Sequence, residues 1–126
     1  TGATGLLGRY LLRDLLVRGY AVVVLARPRG PLSSHDRIEA ILRYEEERLG
    51  RRLLRPQVLD GDIRQPNLGV LDASYAKALL EGTTHLLHSA ASLRFDLDQE
   101  SKEPYRTNLE GTRHLLRFAK QHSIPH

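Results

Sequence analysis

Three glycines within the first eight residues, Thr1-Gly2-Ala3-Thr4-Gly5-Leu6-Leu7-Gly8, constrain the fold of this sequence most. A leucine-rich stretch with helical spacing follows directly. Backbone N–H groups at a helix start, together with the positive end of the helix dipole, attract phosphate. Glycine permits a tight turn at Gly2, close approach of an oxygen at Gly5, where we expect a positive φ, and close helix packing at Gly8. The spacing therefore favours a phosphate-binding turn, although an ordinary strand-to-helix turn would also explain it.

The rest of the chain alternates between helical and strand-like segments. Gly19 should end the first helix, Ser33 or Ser34 should begin the second, and Asp72 the third. The strands are predicted at Ala21–Ala26, Gln57–Asp60 and Thr84–His88, with a last helix over about 105–122 and a further strand begun at 124–126. This order predicts an α/β fold with a doubly wound parallel sheet of the Rossmann type. In the third helix, the side chains of Tyr75, Leu79 and Leu80 are expected to face the core.

The sheet is expected to be incomplete. The sequence has 126 residues, contains no methionine and opens on the glycine turn itself. A turn of this kind ordinarily follows a first strand and belongs to a larger enzyme. We therefore expect residues 1–126 to form a partial dinucleotide-binding domain, with the first strand and a C-terminal catalytic half outside it.

Composition argues against several classes of function. The net charge is +4, but the arginines are dispersed among acidic residues and form no stripe with interleaved aromatics, so a nucleic-acid partner is not expected. The absence of cysteine excludes thiolate catalysis and cysteine-based zinc binding. His88 has no second ligand at suitable spacing, so we expect no metal site. The longest apolar run, Tyr20–Ala26, is too short to span a membrane, and a cytoplasmic location is expected.

The residue that follows the predicted strand Ala21–Ala26 tests the dinucleotide interpretation. At about this distance from the glycines, an acidic residue would bind the ribose 2′-OH of NAD. This sequence has Arg27 there, with Arg29 close by. A guanidinium in that place pairs with a 2′-phosphate, which points to NADP(H) as the cofactor, although a solvated surface arginine is the alternative.

Two further positions follow strand ends, where ligands lie in open α/β sheets. Asp62 can accept a hydrogen bond from the adenine amino group while the Ile63 backbone N–H donates to the ring, but a turn aspartate is an equally good reading. Ala90 and Ala91 have small side chains that would leave room for a cofactor. Tight helix–strand packing would explain these two alanines as well.

Together these residues resemble the extended short-chain dehydrogenase/reductase superfamily, whose T-G-x-x-G-x-x-G loop matches Thr1 to Gly8. Within it, the chain is most similar to the thioester reductase and fatty acyl-CoA reductase group. That group includes the reductase domains of carboxylic acid reductases and of nonribosomal peptide and polyketide synthases. The resemblance rests on the order and spacing of Leu25-Ala26-Arg27, the insertion Ser34 to Arg52, Gly61-Asp62-Ile63, Pro66, Leu68-Gly69, His88-Ser89-Ala90-Ala91, Phe95, Tyr105 and Asn108-Leu109-Glu110-Gly111-Thr112.

The resemblance implies a role for each matching position. The phosphate turn would be formed by Thr1, Gly2, Thr4, Gly5, Leu6, Leu7 and Gly8. The 2′-phosphate would meet Arg27 and Arg37, and adenine would meet Asp62 and Ile63. The cofactor cleft would be lined by Ala90, Ala91 and Ser92. Asn108 matches the asparagine that supports the superfamily's proton relay.

The sequence departs from the superfamily in its catalytic residues. The Tyr-x-x-x-Lys pair is missing, because the residues four positions after the five tyrosines are Asp14, Val24, Arg48, Leu79 and Leu109. The catalytic half is therefore expected beyond His126.

The expected function is NADPH-dependent reduction of an acyl thioester, carried on CoA or a carrier protein, to an aldehyde or alcohol. Fused adenylation and carrier domains are the expected neighbours in the same polypeptide. A nucleotide-sugar epimerase or dehydratase of the same superfamily is one alternative, although such enzymes more often carry an acid at position 27. A non-catalytic NADP-binding sensor is the other.

Overall fold

The computed structural model describes residues 1–124, which form a small parallel sheet covered by helices on both faces. Strands β1 (Val23–Ala26) and β2 (Gln57–Asp60) pair in parallel, with Val23 opposite Gln57 and Ala26 opposite Asp60. The helices are α1 (Leu6–Val17), α2 (Ser34–Leu49), α3 (Ala73–Leu80) and α4 (Thr112–Gln121). A 3₁₀ turn spans Pro66–Gly69, and a π-helical segment, Arg106–Gly111, leads directly into α4.

The side chains of β1 alternate between two apolar clusters, one on each face of the sheet. Val24 and Ala26 pack with Leu12, Leu16, Ile38, Leu42 and Leu53, which come from α1, α2 and the segment after α2. Val23 and Leu25 pack on the opposite face, against a cluster from β2, the 3₁₀ turn, α3 and α4 that includes Leu59, Ile63, Leu68, Ala76, Leu80, Leu115, Phe118 and Ala119. A parallel pair covered on both faces by crossover helices confirms the predicted doubly wound architecture.

The helix boundaries follow the predicted capping residues. Ser33 begins α2 with a capping box: its Oγ accepts from the Asp36 N–H at 3.0 Å, and the Asp36 carboxylate accepts from the Ser33 N–H at 3.3 Å. The Asp72 carboxylate accepts from the Tyr75 N–H at 2.8 Å and begins α3. Gly19, just beyond α1, has a φ of 82°. These polar contacts satisfy N–H groups that a helix start would otherwise leave without partners.

The prediction of a third strand at Thr84–His88 is wrong for the described chain. This segment has no regular secondary structure, and within residues 1–124 its backbone hydrogen bonds to a distant segment involve Thr1 alone. The Thr1 nitrogen donates to the Leu87 carbonyl at 2.7 Å, and the Ser89 N–H donates to the Thr1 carbonyl at 3.2 Å. A β-ladder needs several such pairings in succession, and among residues 1–124 one residue alone supplies them. The segment is therefore placed beside the glycine turn without forming a strand there.

The prediction that Tyr75 faces the core is also wrong. Its side chain is 53% exposed, whereas Ala76 and Leu80 are buried and Leu79 is partly buried against the same cluster. Both pairs, Tyr75 with Leu79 and Ala76 with Leu80, have the spacing of one helical face, so periodicity alone did not separate them. The strand predicted after Ile124 lies outside the described residues, and β1 begins two residues later than predicted.

Within residues 1–124, no helix has the combination of length and apolar character needed to cross a membrane.

Glu46 on α2 is held by the segment that leads from that helix to β2. Its carboxylate accepts from Arg55 Nη1 at 2.6 Å, from the Leu53 N–H at 2.7 Å and from Arg52 Nη1 at 3.4 Å. The Arg55 and Leu53 hydrogen bonds lower the pKa of Glu46 from 4.5 to about 2. A depressed folded-state pKa means that the carboxylate stabilises the fold above pH 4.5 and that this contribution is lost as the pH falls from 4.5 towards 2.

Glu46→Gln should therefore reduce the free energy of unfolding at pH 7 and should flatten its dependence on pH between about 5 and 2. Urea denaturation at a series of pH values measures both effects. Glu47→Gln is the matched control, because Glu47 is the next residue of α2 and is exposed. A Glu46 variant whose acid profile parallels that of the wild type would contradict the assignment.

Candidate functional site

Gly2 and Gly8 of the glycine turn are glycines because backbone packs against them. Gly2 has a φ of 82°, and a Cβ there would lie 2.4 Å from the Ala90 nitrogen. A Cβ on Gly8 would lie 2.0 Å from the Gly2 carbonyl oxygen, so α1 can reach the turn only without one. Gly5 has an extended φ of −84°, so the expectation of a positive φ there is wrong. The turn is therefore closed by Gly2 and Gly8, while Gly5 stays accessible on the outer side.

The first turn of α1 leaves backbone donors unpaired among the described residues. The Gly5 N–H is used internally, by the Gly2 carbonyl at 2.9 Å. The N–H groups of Leu6, Leu7 and Gly8 have no acceptor within residues 1–124. The side chains of Leu6 and Leu7 are 71% and 63% exposed, so they leave this helix end open. Unpaired N–H groups at the start of a 12-residue helix are the arrangement that binds phosphate oxygens.

Arg37 ties the glycine turn to the end of β1. Its Nη2 donates to Thr4 Oγ1 at 3.0 Å, and its Nη1 donates to the Arg27 carbonyl oxygen. Burial, and then the neighbouring charges of Arg29 and Arg27, lower the pKa of Arg37. Because guanidinium groups stay protonated in proteins, three of them beside one turn repel each other until an anion lies between them. The predicted residues Thr4, Arg27 and Arg37 are thus brought together.

Asp62 follows β2 and faces the arginine cluster that Arg27, Arg29 and Arg37 form. The Arg64 side chain binds its carboxylate through Nε at 3.0 Å and Nη2 at 2.6 Å, and the Arg64 N–H donates to it at 3.0 Å. Arg27 Nη1 lies 3.5 Å from the same carboxylate. Burial tends to raise the pKa of Asp62, but the Arg64 hydrogen bonds outweigh it and the pKa is lowered. Asp62 is therefore an ionised acceptor at neutral pH.

An open cleft of about 1120 Å³ joins these side chains at the carboxyl ends of β1 and β2. The arginine cluster and Asp62 form its polar walls, and Leu71 and Tyr75 form an apolar wall. The Leu71 side chain is fully exposed. Sequence reasoning missed Leu71, Tyr75 and Arg64 as cleft residues. Only the position of Arg64 two residues beyond Asp62 could have indicated a contact.

Ile63 is buried, and its contacts differ from those of Asp62. Its side chain packs against Gly111, where a Cβ would come within 3.0 Å, and its carbonyl oxygen lies 2.9 Å from His114 Nδ1. No acceptor for its N–H is found within the described part of the chain. The backbone donor predicted to meet adenine is thus unpaired.

The segment after His88 connects the glycine turn to the π-helical segment. The Ala90 nitrogen packs against Gly2. The Ser92 N–H donates to Asn108 Oδ1 at 2.7 Å, and Asn108 Nδ2 donates to the Ser92 carbonyl oxygen at 3.1 Å. Both ends of the Asn108 amide are therefore used to hold backbone. Ala91 lies between these two contacts and is exposed.

His88 makes two side-chain hydrogen bonds. Its Nδ1 lies 2.6 Å from Thr1 Oγ1 and its Nε2 lies 3.3 Å from Thr112 Oγ1. Burial lowers the pKa of His88, which favours the neutral ring. Among residues 1–124, no group of three metal-binding side chains is gathered. His88 links the glycine turn to the start of α4.

Comparison with known proteins identifies relatives along nearly the whole chain. Fatty acyl-CoA reductase 1 of Gallus gallus is 31% identical over 132 residues, covering 96% of this chain and 24% of the relative. Adenylate-forming reductase Nps11 of Serpula lacrymans is 35% identical over 125 residues, covering 94% and 11% respectively. The chain thus spans a quarter or less of these relatives. The crystal structure of the reductase domain of a Mycobacterium tuberculosis nonribosomal peptide synthetase superposes with a TM-score of 0.62 and 29% identity, over 94% of this chain and 29% of that one.

A family model matches nearly the whole chain. The model of an NAD-binding family described as "Male sterility protein" matches residues 1–125. That match includes the glycine turn, the arginine cluster, Asp62 and Asn108. The chain therefore belongs to the NAD-binding male sterility protein family.

Proposed function

We propose that this chain binds NADPH for a reductase that acts on acyl thioesters carried on CoA or on a carrier protein. The observation that carries the cofactor assignment is the gathering of Arg27, Arg29 and Arg37 beside the glycine turn. The substrate assignment is supported by the relatives, which are named as fatty acyl-CoA reductases, an adenylate-forming reductase and a nonribosomal peptide synthetase reductase domain. The second of these names supports fusion to an adenylating domain.

The cleft, together with the glycine turn and the segment after His88, offers a place for each part of the cofactor. The N–H groups of Leu6, Leu7 and Gly8 would bind the pyrophosphate, and Thr1, Gly2 and Thr4 shape that turn. Arg27 and Arg37 would bind the 2′-phosphate, while the Asp62 carboxylate and the Ile63 N–H would bind adenine. The nicotinamide end would extend past Gly5 towards Ala90, Ala91 and Ser92. This arrangement uses the donors that the described residues leave unpaired.

When bound, NADPH would supply a hydride to the thioester carbonyl carbon and become NADP⁺; the C–S bond would then break, and the departing thiolate would take a proton from solvent, giving a thiol and an aldehyde. The chain's own residues orient the cofactor, and Asn108 fixes the backbone at Ser92. The sequence contains no Tyr-x-x-x-Lys pair, so we assign these residues to cofactor binding and not to proton donation. The epimerase and dehydratase alternative is not favoured, because the relatives named above are reductases.

Arg27→Ala should weaken NADPH binding while leaving NADH binding nearly unchanged, because only NADPH carries the 2′-phosphate. Loss of one charged hydrogen bond costs about 1.5–3 kcal/mol, or roughly 10- to 150-fold in Kd. Calorimetric titration of the purified protein with each cofactor measures the effect. Arg51→Ala is the matched control, since Arg51 is exposed in the segment after α2. Equal losses for the two cofactors would refute the phosphate assignment.

A further inference from the structure

The proposed 2′-phosphate position has a negative neighbour. Asp62 Oδ2 lies only 3.5 Å from Arg27 Nη1, the guanidinium nitrogen that would face the phosphate. A phosphate bound by Arg27 would thus lie within a few ångströms of an ionised carboxylate. At such distances two like charges repel appreciably, even with the screening usual near a protein surface. An NADP site built around Arg27 and Asp62 needs something to offset this repulsion.

Arg64 is arranged to provide that offset. Its guanidinium faces the Asp62 carboxylate with two nitrogens, Nε at 3.1 Å from Oδ1 and Nη2 at 2.6 Å from Oδ2, in the fork geometry that pairs arginine with carboxylate. Its other terminal nitrogen, Nη1, lies 3.9 Å from Glu103 Oε1. Only 29% of the Arg64 side chain is exposed, so it is held between the two acids.

We propose that Arg64 is a specificity-determining positioning residue, which neutralises Asp62 so that a 2′-phosphate can bind at Arg27. The inference rests on the proposed NADPH function. It explains how one cleft can hold an acidic residue for adenine and still accept the phosphate beside it. NADH has a hydroxyl in place of the phosphate and does not depend on this neutralisation.

The inference predicts a particular pattern in a double-mutant cycle. Arg64→Gln leaves the Asp62 charge uncompensated, so the Kd for NADPH should rise by roughly tenfold relative to the Kd for NADH. Asp62→Asn removes the same charge, so the double variant should regain the wild-type ratio of the two Kd values. The ratio is the readout because any loss of adenine contacts at Asp62 affects both cofactors alike. Added salt should shrink the effect of Arg64→Gln.

The experiment titrates NADPH and NADH into the wild-type protein, the two single variants, the double variant and Arg51→Gln, with a thermal melt of each. Arg51→Gln removes one positive charge away from the cleft and should leave the ratio unchanged. If Arg64→Gln does not fold, Asp62→Asn alone decides, because it keeps Arg64 and should preserve or increase the preference for NADPH.

A double variant whose Kd for NADPH, relative to its Kd for NADH, stays as high as in Arg64→Gln would overturn the inference, since Arg64 would then act on the phosphate directly. An Asp62→Asn variant that loses its NADPH preference would also overturn it. A wild-type protein that binds both cofactors equally would overturn the cofactor assignment together with this inference. A wild-type preference for NADPH that survives Arg64→Gln would overturn the inference alone.

Discussion

Gly8→Ala should strongly destabilise the fold. The added methyl carbon would lie 2.0 Å from the Gly2 carbonyl oxygen, 2.6 Å from the Gly2 carbonyl carbon and 2.9 Å from the Ala3 Cα. All three are backbone atoms, which cannot move aside as a flexible side chain can. Ordinary overpacking costs about 1–3 kcal/mol, and we expect more than about 3 kcal/mol here. Domains are stable by only ~5–15 kcal/mol, so a large part of the total is lost.

Thermal denaturation followed by circular dichroism should show the Gly8 variant melting at least about 10 °C below the wild type. Gly5→Ala is the matched control, because Gly5 has an ordinary φ of −84° and its added Cβ meets only the Gly2 carbonyl oxygen, at 3.3 Å. Its melting temperature should stay within a few degrees of the wild type. Similar melting temperatures for the two variants would show that the turn tolerates a side chain at either place.

The sequence was sufficient where a local pattern has one physical solution. The glycine spacing predicted close packing of the first helix at Gly8, and the backbone against which Gly8 packs is that of Gly2. Ser33, with Ser34 as the alternative, and Asp72 predicted helix starts, since such side chains accept hydrogen bonds from N–H groups of the first turn. The alternation of helices and strands predicted a sheet covered on two faces, and Val23 and Val24 indeed point to opposite clusters.

The sequence was insufficient where the outcome depends on a partner that is distant in the chain. Thr84–His88 has a strand-like composition, but a strand exists only when a neighbour supplies a ladder, and a single residue does so here. Tyr75 and Ala76 lie on two different faces of α3, and the position of the sheet determines which face is buried. Residue type alone did not distinguish Arg64 from the other arginines, and only the structure shows that its side chain binds Asp62.

Asn108 makes backbone contacts that the sequence did not predict. The resemblance placed Asn108 in support of a proton relay, a role that remains a prediction. The structure shows its amide oxygen and nitrogen both occupied by the backbone of Ser92, at 2.7 and 3.1 Å. Its own carbonyl oxygen accepts from Thr112 Oγ1 at 2.7 Å, within a π-helical segment of the kind often found at functional sites. Asn108 therefore acts as a positioning residue for the segment that reaches Ala90 and the glycine turn.

In the complete reductase, Asn108→Ala should lower kcat for the proposed thioester reduction by about 100-fold, the loss expected when a misplacement of about 1 Å separates the reacting groups. The Kd for NADPH should change by less than about threefold, because the pyrophosphate and 2′-phosphate contacts lie elsewhere. Asn108→Asp should not restore activity: a carboxylate can still accept from the Ser92 N–H, but it repels the Ser92 carbonyl oxygen that the amide nitrogen bonds. Steady-state NADPH oxidation with an acyl-CoA, together with NADPH titration, separates the two parameters. An alanine variant that keeps its kcat, or loses NADPH affinity in proportion, would rule out a positioning role at the reacting end of the cleft.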